Sequence, residues 1–515
     1  MKISRLIFLL GFCITFTSDI AADPSQKSQI SNKNVSRDFL SFFIHWYDQA
    51  ELPKELIPNG FQGIEHVPQP QIPQAQPLDS EEPKVFTLVV FNGSTSEYYR
   101  YRFLPSLFGN DPAESNIAQE FIKKAARQDS NINKDWHFSL KEMDHIEAPI
   151  TQLLKVRQIE VTNGHILRII DIEGPRGSLE SIAPFDQRKE LIVRRLQKYF
   201  KIMGTPKHLG FLGFSHGGLI QIKLAEYVIS NKIEGFENLE ALVSWAGACW
   251  GVEHLRNQGI HGSIGTAIFG LFRQLSQLST ERKDIHANLK LVANIARDLI
   301  NTFRNDLKIE IEAERELIQG SIFDTDFLAY IKELIHDFDI RIKWKPGYEL
   351  LIRAKSLGET FLAAITELDP VEVERWYSEH TLPSDIKYYS LAVAQPMSNI
   401  NGPVDARLKH PWFLSKGLTS RLLRVAHNEL YYRYQVPYSD GFITTQSMNF
   451  SWEKHKKLNP RQEAYENIAL GTVIGHHGTV IAPEILKTID PSESPMPRRE
   501  LFLSLASMLL SRQDK

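Results

Sequence analysis

Apolar residues in this chain fall into two rhythms, and their alternation predicts the architecture. Val85-Phe86-Thr87-Leu88-Val89-Val90-Phe91 is an unbroken β-branched and aromatic run, as expected of a strand buried on both faces. Similar runs recur at 166–172, after the turn-forming Asn163-Gly164-His165, and at 209–212, 239–247, 386–394 and 468–474. Between them the spacing changes to that of helices. Leu191, Ile192, Val193, Leu196 and Phe200 mark one over 185–203, and a second covers 219–229. Strands alternating with helices at these intervals predict an α/β chain with a mostly parallel central sheet flanked by helices. Leu501, Phe502, Leu505, Met508 and Leu509 predict a closing helix.

The alternation breaks between residues 252 and 385. There Ile285, Leu289, Val292, Ala296, Leu299, Phe303 and Leu307 repeat every three to four residues as on one long helix. Further helical patterns cover 327–338 and 348–368, so this interval reads as a helical cap inserted between two parts of the core. Its apolar stretch 264–272, with Phe269 and Phe272, suits either a lid over a hydrophobic pocket or a buried packing helix. Upstream, Pro68, Pro70, Pro73, Pro77 and Pro83 among glutamines read as an extended linker, and 39–47 as a docking helix. At the start, Lys2 and Arg5, an apolar run from Leu6 to Phe16 and Ile20-Ala21-Ala22 have the order of a secretory signal peptide. The expected organisation is a signal peptide over 1–22 and an N-terminal extension with linker over 23–83. The first part of the core takes 84–251, the cap 252–385 and the second part of the core 386–515.

Composition narrows the setting. A net charge of −3 over 515 residues gives no electrostatic reason to expect nucleic acid. Of two cysteines, Cys13 would leave with the signal, so Cys249 has no intramolecular partner. The apolar run in the signal is too short for a membrane anchor, and no later segment is apolar enough to span a bilayer. An exported protein without disulfides suggests a bacterial periplasmic or extracellular location.

The candidate chemistry begins at Gly213-Phe214-Ser215-His216-Gly217, which directly follows an apolar run and directly precedes a helical one. Strand, Gly-x-Ser-x-Gly, helix is the context of a nucleophile elbow, a turn so tight that side chains at the two glycine positions would clash. The helix start would direct its positive end and the N–H of His216 at an oxyanion, with the His216 ring lining the site. A serine nucleophile needs a base that is itself oriented by an acid. The base is sought in Gly475-His476-His477-Gly478 after the last strand, where either histidine can serve. No spaced set of metal ligands accompanies the pair. The acid is sought at Asp440 in Ser439-Asp440-Gly441, with Asp405 as the alternative. A second oxyanion donor is expected in Asn92-Gly93-Ser94-Thr95, with the N–H of Ser94 first and that of Thr95 next. His45, His66 and His427 read as surface or core residues.

Together these segments resemble the α/β-hydrolase superfamily, in particular its lipase and carboxylesterase branch. The resemblance rests on Gly213–Gly217, on Glu173–Ser178 and on Ala246–Gly251, which stands where many lipases carry Gly-x-Pro-His-x-Gly. It extends to 387–392 as the penultimate core strand, to Asp440-Gly441-Phe442-Ile443 as an Asp-Gly-Leu-Val-like acid motif, and to the stretch from Leu470 to Pro483. An ungapped match of that last stretch puts the base at His477, whereas a match to Asp-His-Leu-Gly puts it at His476. Two features depart from the family: Asn92-Gly93 replaces the usual His-Gly, and no acidic residue precedes the base. The resemblance implies an α/β-hydrolase fold, and the helical patterns place the cap after the sixth strand. It further implies a cofactor-independent serine hydrolase acting on a small-molecule or lipid ester. The competing reading is a non-catalytic exported protein that binds through its cap and uses the core as a scaffold.

Overall fold

The computed structural model describes residues 84–93, 154–162, 165–172, 183–260, 262–278, 347–395, 418–436 and 438–474, together with 477, 480 and several positions in 502–510. The expected signal peptide, extension and linker lie outside these residues. So do the helical patterns at 285–307 and 327–338.

Among the described residues, seven strands form one sheet in the order β2-β3-β1-β4-β5-β6-β7. They are β1 (Val85–Phe91), β2 (Leu154–Thr162), β3 (His165–Ile172), β4 (Leu209–Ser215), β5 (Leu239–Gly247), β6 (Lys387–Ala394) and β7 (Asn467–Ile474). Every neighbouring pair is parallel except β2 with β3. Helices α1 (Phe185–Met203) and α2 (His216–Ser230) bracket β4. The chain is therefore α/β with a mostly parallel sheet and flanking helices, as the strand–helix rhythm predicts.

Burial follows the apolar runs closely. From Phe86 to Phe91 every residue of β1 is buried, because the strand lies between β3 and β4 with packing on both faces. Ten residues of α2, from His216 to Val228, are buried, which is why its apolar positions are not confined to one stripe.

Three elements differ from expectation. β4 runs three residues beyond the apolar run at 209–212, to Ser215, through the elbow residues Gly213 and Phe214. The periodicity places the second helix at 219, whereas α2 starts at His216, immediately after the serine. Its first three residues, His216-Gly217-Gly218, carry no apolar periodicity, so only the elbow context marks that start. The apolar runs do not predict the strand β2. Its pairing of Thr162 with His165 leaves a two-residue connection, Asn163-Gly164, the dipeptide most favoured in tight hairpins.

The described part of the interval after β5 is helical. Two short turns across Glu253–Gly259 lead into α3 (Ser263–Ser276), and α4 (Gly347–Glu367) and α5 (Pro370–Glu379) precede β6. Phe272 of α3 lies flat on Phe361 of α4, ring centroids 4.4 Å apart and planes 3° from parallel. Both rings, with Phe269, belong to the hydrophobic core, so Phe272 packs one helix on the other. After β6 come α6 (Leu418–Tyr434) and the short helices α7 (Thr445–Met448) and α8 (Trp452–Leu458). Near the end, helical residues Phe502, Leu505, Ala506, Met508, Leu509 and Leu510 return to the core. Among the described residues, no helix is long and apolar enough to cross a membrane.

Candidate active site

Because the inner strands run parallel, their carboxyl ends share one edge of the sheet, and the chain leaves each strand there in a loop. Ser215 ends β4 at φ 54° and ψ −127°, a conformation rare for any residue but glycine. The turn is sterically closed. A Cβ on Gly213 would lie 2.2 Å from the carbonyl oxygen of Gly217, and one on Gly217 would lie 2.0 Å from that of Phe91. Sheet contacts hold the strained serine in place: its carbonyl accepts from the N–H of Ala248 at 2.8 Å.

The segment after β7 brings His477 over this serine. His477 Nε2 stands 3.0 Å from Ser215 Oγ, and Nδ1 stands 2.5 Å from Asp440 Oδ2. An ionised carboxylate only accepts, so Nδ1 carries the proton and Nε2 faces the hydroxyl as an acceptor. The imidazole stacks on Phe214, centroids 4.9 Å apart, and meets Phe442 edge-on. Its backbone N–H donates to the Asp440 carbonyl, which ties the two loops directly.

Asp440 is fully buried and fully bonded. Its Oδ1 accepts from the N–H groups of Phe442 and Ile443 at 2.9 and 2.8 Å, which leaves Oδ2 for the histidine. Gly441 makes this turn at φ 109°, where an L side chain would be strained. Two buried histidines flank the loop. His427 Nδ1 meets Ser439 Oγ at 2.8 Å, and His254 Nε2 meets the Gly441 carbonyl at 3.2 Å. Burial holds both rings below the ordinary histidine pKa, His427 at about 4, so they are neutral.

The structure thus joins Ser215, His477 and Asp440, three of the residues singled out in the sequence. Ser94, Thr95, His476 and Asp405 lie outside the described residues. Gly93 does approach the elbow: a Cβ there would lie 2.8 Å from that of Ser215, so the chain at Gly93 passes close to the serine. Asn92 bonds through its amide to Asp171 of β3.

His216 differs from the sequence expectation. Its ring does not line the site. It is 1 % exposed and its Nε2 meets Glu367 Oε2 at 3.2 Å. Burial dominates its pKa and lowers it. The ring turns inward because a buried acceptor from α4 awaits it there. Glu367, His254 and the two rings beside His477 were not singled out from sequence. Glu367 has no local motif to betray it, since its partners stand 144 to 182 positions away. Phe214 and Phe442 could have been found, as immediate neighbours of the serine and acid motifs.

No protein-family model matches the chain, and no curated protein matches it. Solved structures do. A metagenomic carboxyl esterase aligns over 90 % of this chain and 98 % of its own at 12 % identity, TM-score 0.36. EstA from Clostridium botulinum aligns over 92 % and 98 % at 13 % identity, TM-score 0.33. Staphylococcus hyicus lipase aligns over 85 % and 97 % at 11 % identity, TM-score 0.31. The architecture rests on the chain's own geometry instead. With a mostly parallel sheet in this strand order and a strained serine between β4 and α2, the chain has the α/β-hydrolase fold.

Proposed function

We propose that this chain is a serine hydrolase that cleaves carboxylic esters through Ser215, His477 and Asp440 by way of an acyl-enzyme. One observation carries the reading: an unbroken line of hydrogen bonds from Ser215 Oγ through the imidazole to a buried carboxylate that accepts two backbone N–H bonds on its other oxygen. A structural serine gains nothing from such a relay at a strained turn.

The steps follow from the geometry. As Ser215 Oγ attacks the ester carbonyl, its proton passes to His477 Nε2. Asp440 holds the imidazole in the tautomer that can accept it and stabilises the imidazolium. The oxyanion is met by the N–H of His216 at the start of α2 and by a donor from the loop after Gly93, with Ser94 the candidate. Collapse expels the alcohol, which takes its proton from His477. Water activated by the same imidazole then releases the acid and restores the serine. Phe214 and Phe442 beside the imidazole favour an apolar acyl group, and the leader-like start of the chain favours an exported enzyme. Amides and thioesters would use the same parts.

A fluorophosphonate probe on the purified chain is the direct test, because it reacts with an activated serine. Labelling of wild type and its loss in Ser215→Ala are expected. Hydrolysis of p-nitrophenyl esters in Ser215→Ala should fall by at least about 10⁴-fold with the melting temperature retained. An unlabelled but folded wild type would instead support the scaffold reading.

A further inference from the structure

Behind the serine, on the buried side of α2, lies a polar cluster that the reaction above does not use. Its centre is Glu367, the last residue of α4, whose side chain is 8 % exposed. The carboxylate meets His216 Nε2 at 3.2 Å and accepts from Lys223 Nζ at 2.7 Å. It also accepts from the N–H of Phe185 at 3.0 and 3.2 Å, which caps α1 where Pro184 offers no side-chain cap. Burial alone would raise the Glu367 carboxyl, yet the His216 hydrogen bond and the Lys223 charge outweigh it and hold the pKa at about 2. Glu367 is therefore an anion. His216 is a neutral ring that donates from Nε2, kept so first by burial and then by the neighbouring cations Arg188 and Lys223.

His216 and Lys223 are seven positions apart, two turns of helix, and so share one face of α2. A single carboxylate that grips both fixes the rotation of α2 about its axis. That rotation sets where the N–H groups of the first turn point, beginning with His216 itself. We propose that Glu367 is a positioning residue. From the inserted helix α4 it locks the His216 ring, and through it the backbone N–H that faces the oxyanion. This inference rests on the serine-hydrolase reading. Its physical basis is the narrow tolerance of such donors, which must be aimed at the oxyanion before it forms. The bond also couples the insertion to the reaction without placing any group of the insertion in contact with substrate.

The sharpest variant is His216→Phe, which keeps a ring but loses the donor and leaves the pairing of Glu367 with Lys223 and Phe185 in place. With p-nitrophenyl butyrate, kcat should fall about 10- to 100-fold while KM stays within about threefold. Affinity for an alkyl boronic acid, which binds as a tetrahedral oxyanion mimic, should fall by the same factor. His216→Gln places a donor near the Nε2 position and should recover about tenfold over the Phe variant. If His216→Phe does not fold, Glu367→Gln decides by the same kcat and boronate readings. A folded variant within twofold of wild type in both overturns the inference, as does a loss that Gln fails to recover. Fluorophosphonate labelling of wild type separates the two levels. An unlabelled wild type overturns the reading of Ser215 and this inference with it, whereas a labelled wild type with indifferent variants overturns this inference alone.

Discussion

His477 reaches Ser215 with one imidazole nitrogen and Asp440 with the other, so truncating it severs both ends of the relay. His477→Ala should match Ser215→Ala in severity, at least about 10⁴-fold in kcat, because members of such a unit are strongly non-additive. His476→Ala should keep substantial activity. Single-turnover and steady-state assays on both variants check this, and the reverse ranking moves the base one residue. The serine, the acid loop and the histidine segment were legible because each makes a local demand: two glycines about a strained serine, Gly441 at positive φ, two histidines between glycines at a strand end. Glu367 was not legible. A glutamate ending an amphipathic helix reads as solvated until a fold brings His216, Lys223 and Phe185 to it. The inward turn of the His216 ring was hidden for the same reason, since nothing in Ser-His-Gly says what lies behind the helix.

At the scale of elements, apolar runs of seven to nine residues gave strand positions to within a residue or so at β1, β3, β5, β6 and β7. Such runs are buried on both faces and need no partner to be recognised. The strand β2 is different. Lys155, Arg157, Gln158 and Glu160 interrupt its apolar residues, as suits an edge strand, and its antiparallel pairing is signalled only by Asn163-Gly164. Spacing also found α4, but it could not say whether Phe269 and Phe272 would face a pocket or a neighbouring helix. Phe272 is fully buried against Phe361. Phe272→Ala should therefore lower folding stability by about 3–5 kcal/mol, the usual range for an emptied aromatic site in a core. It should change kcat/KM for acetate and long-chain esters in similar proportion. Denaturant unfolding and an ester chain-length series measure the two effects. A stable variant that loses only long-chain activity would restore Phe272 to a role in substrate binding.

Across the whole molecule, the stability of this fold is tied to acid through histidines that the core keeps neutral. His216, His254, His427 and His455 are all held below the usual histidine value, chiefly by burial. An unfolded chain exposes them at an ordinary pKa near 6.5, so below that pH the unfolded state binds more protons than the folded one. Stability must then fall as pH drops from about 6.5. For His427, whose folded value is about 4, the loss is complete near that pH and amounts to about 3 kcal/mol. Glu367, held at about 2 against an unfolded value near 4.5, extends the same trend to lower pH, because its carboxylate must be protonated in the acid-unfolded chain. Thermal melts between pH 7.5 and 4.5 should show a steady decline in melting temperature. In His427→Asn the short amide replaces the Nδ1 contact with Ser439 and removes the titrating ring. That variant should be less stable at pH 7.5 and should lose less between pH 6.5 and 4.5 than wild type. A melting temperature independent of pH across this window would show that the buried rings acquire their protons without opening the core, and would overturn this account of the acid limb.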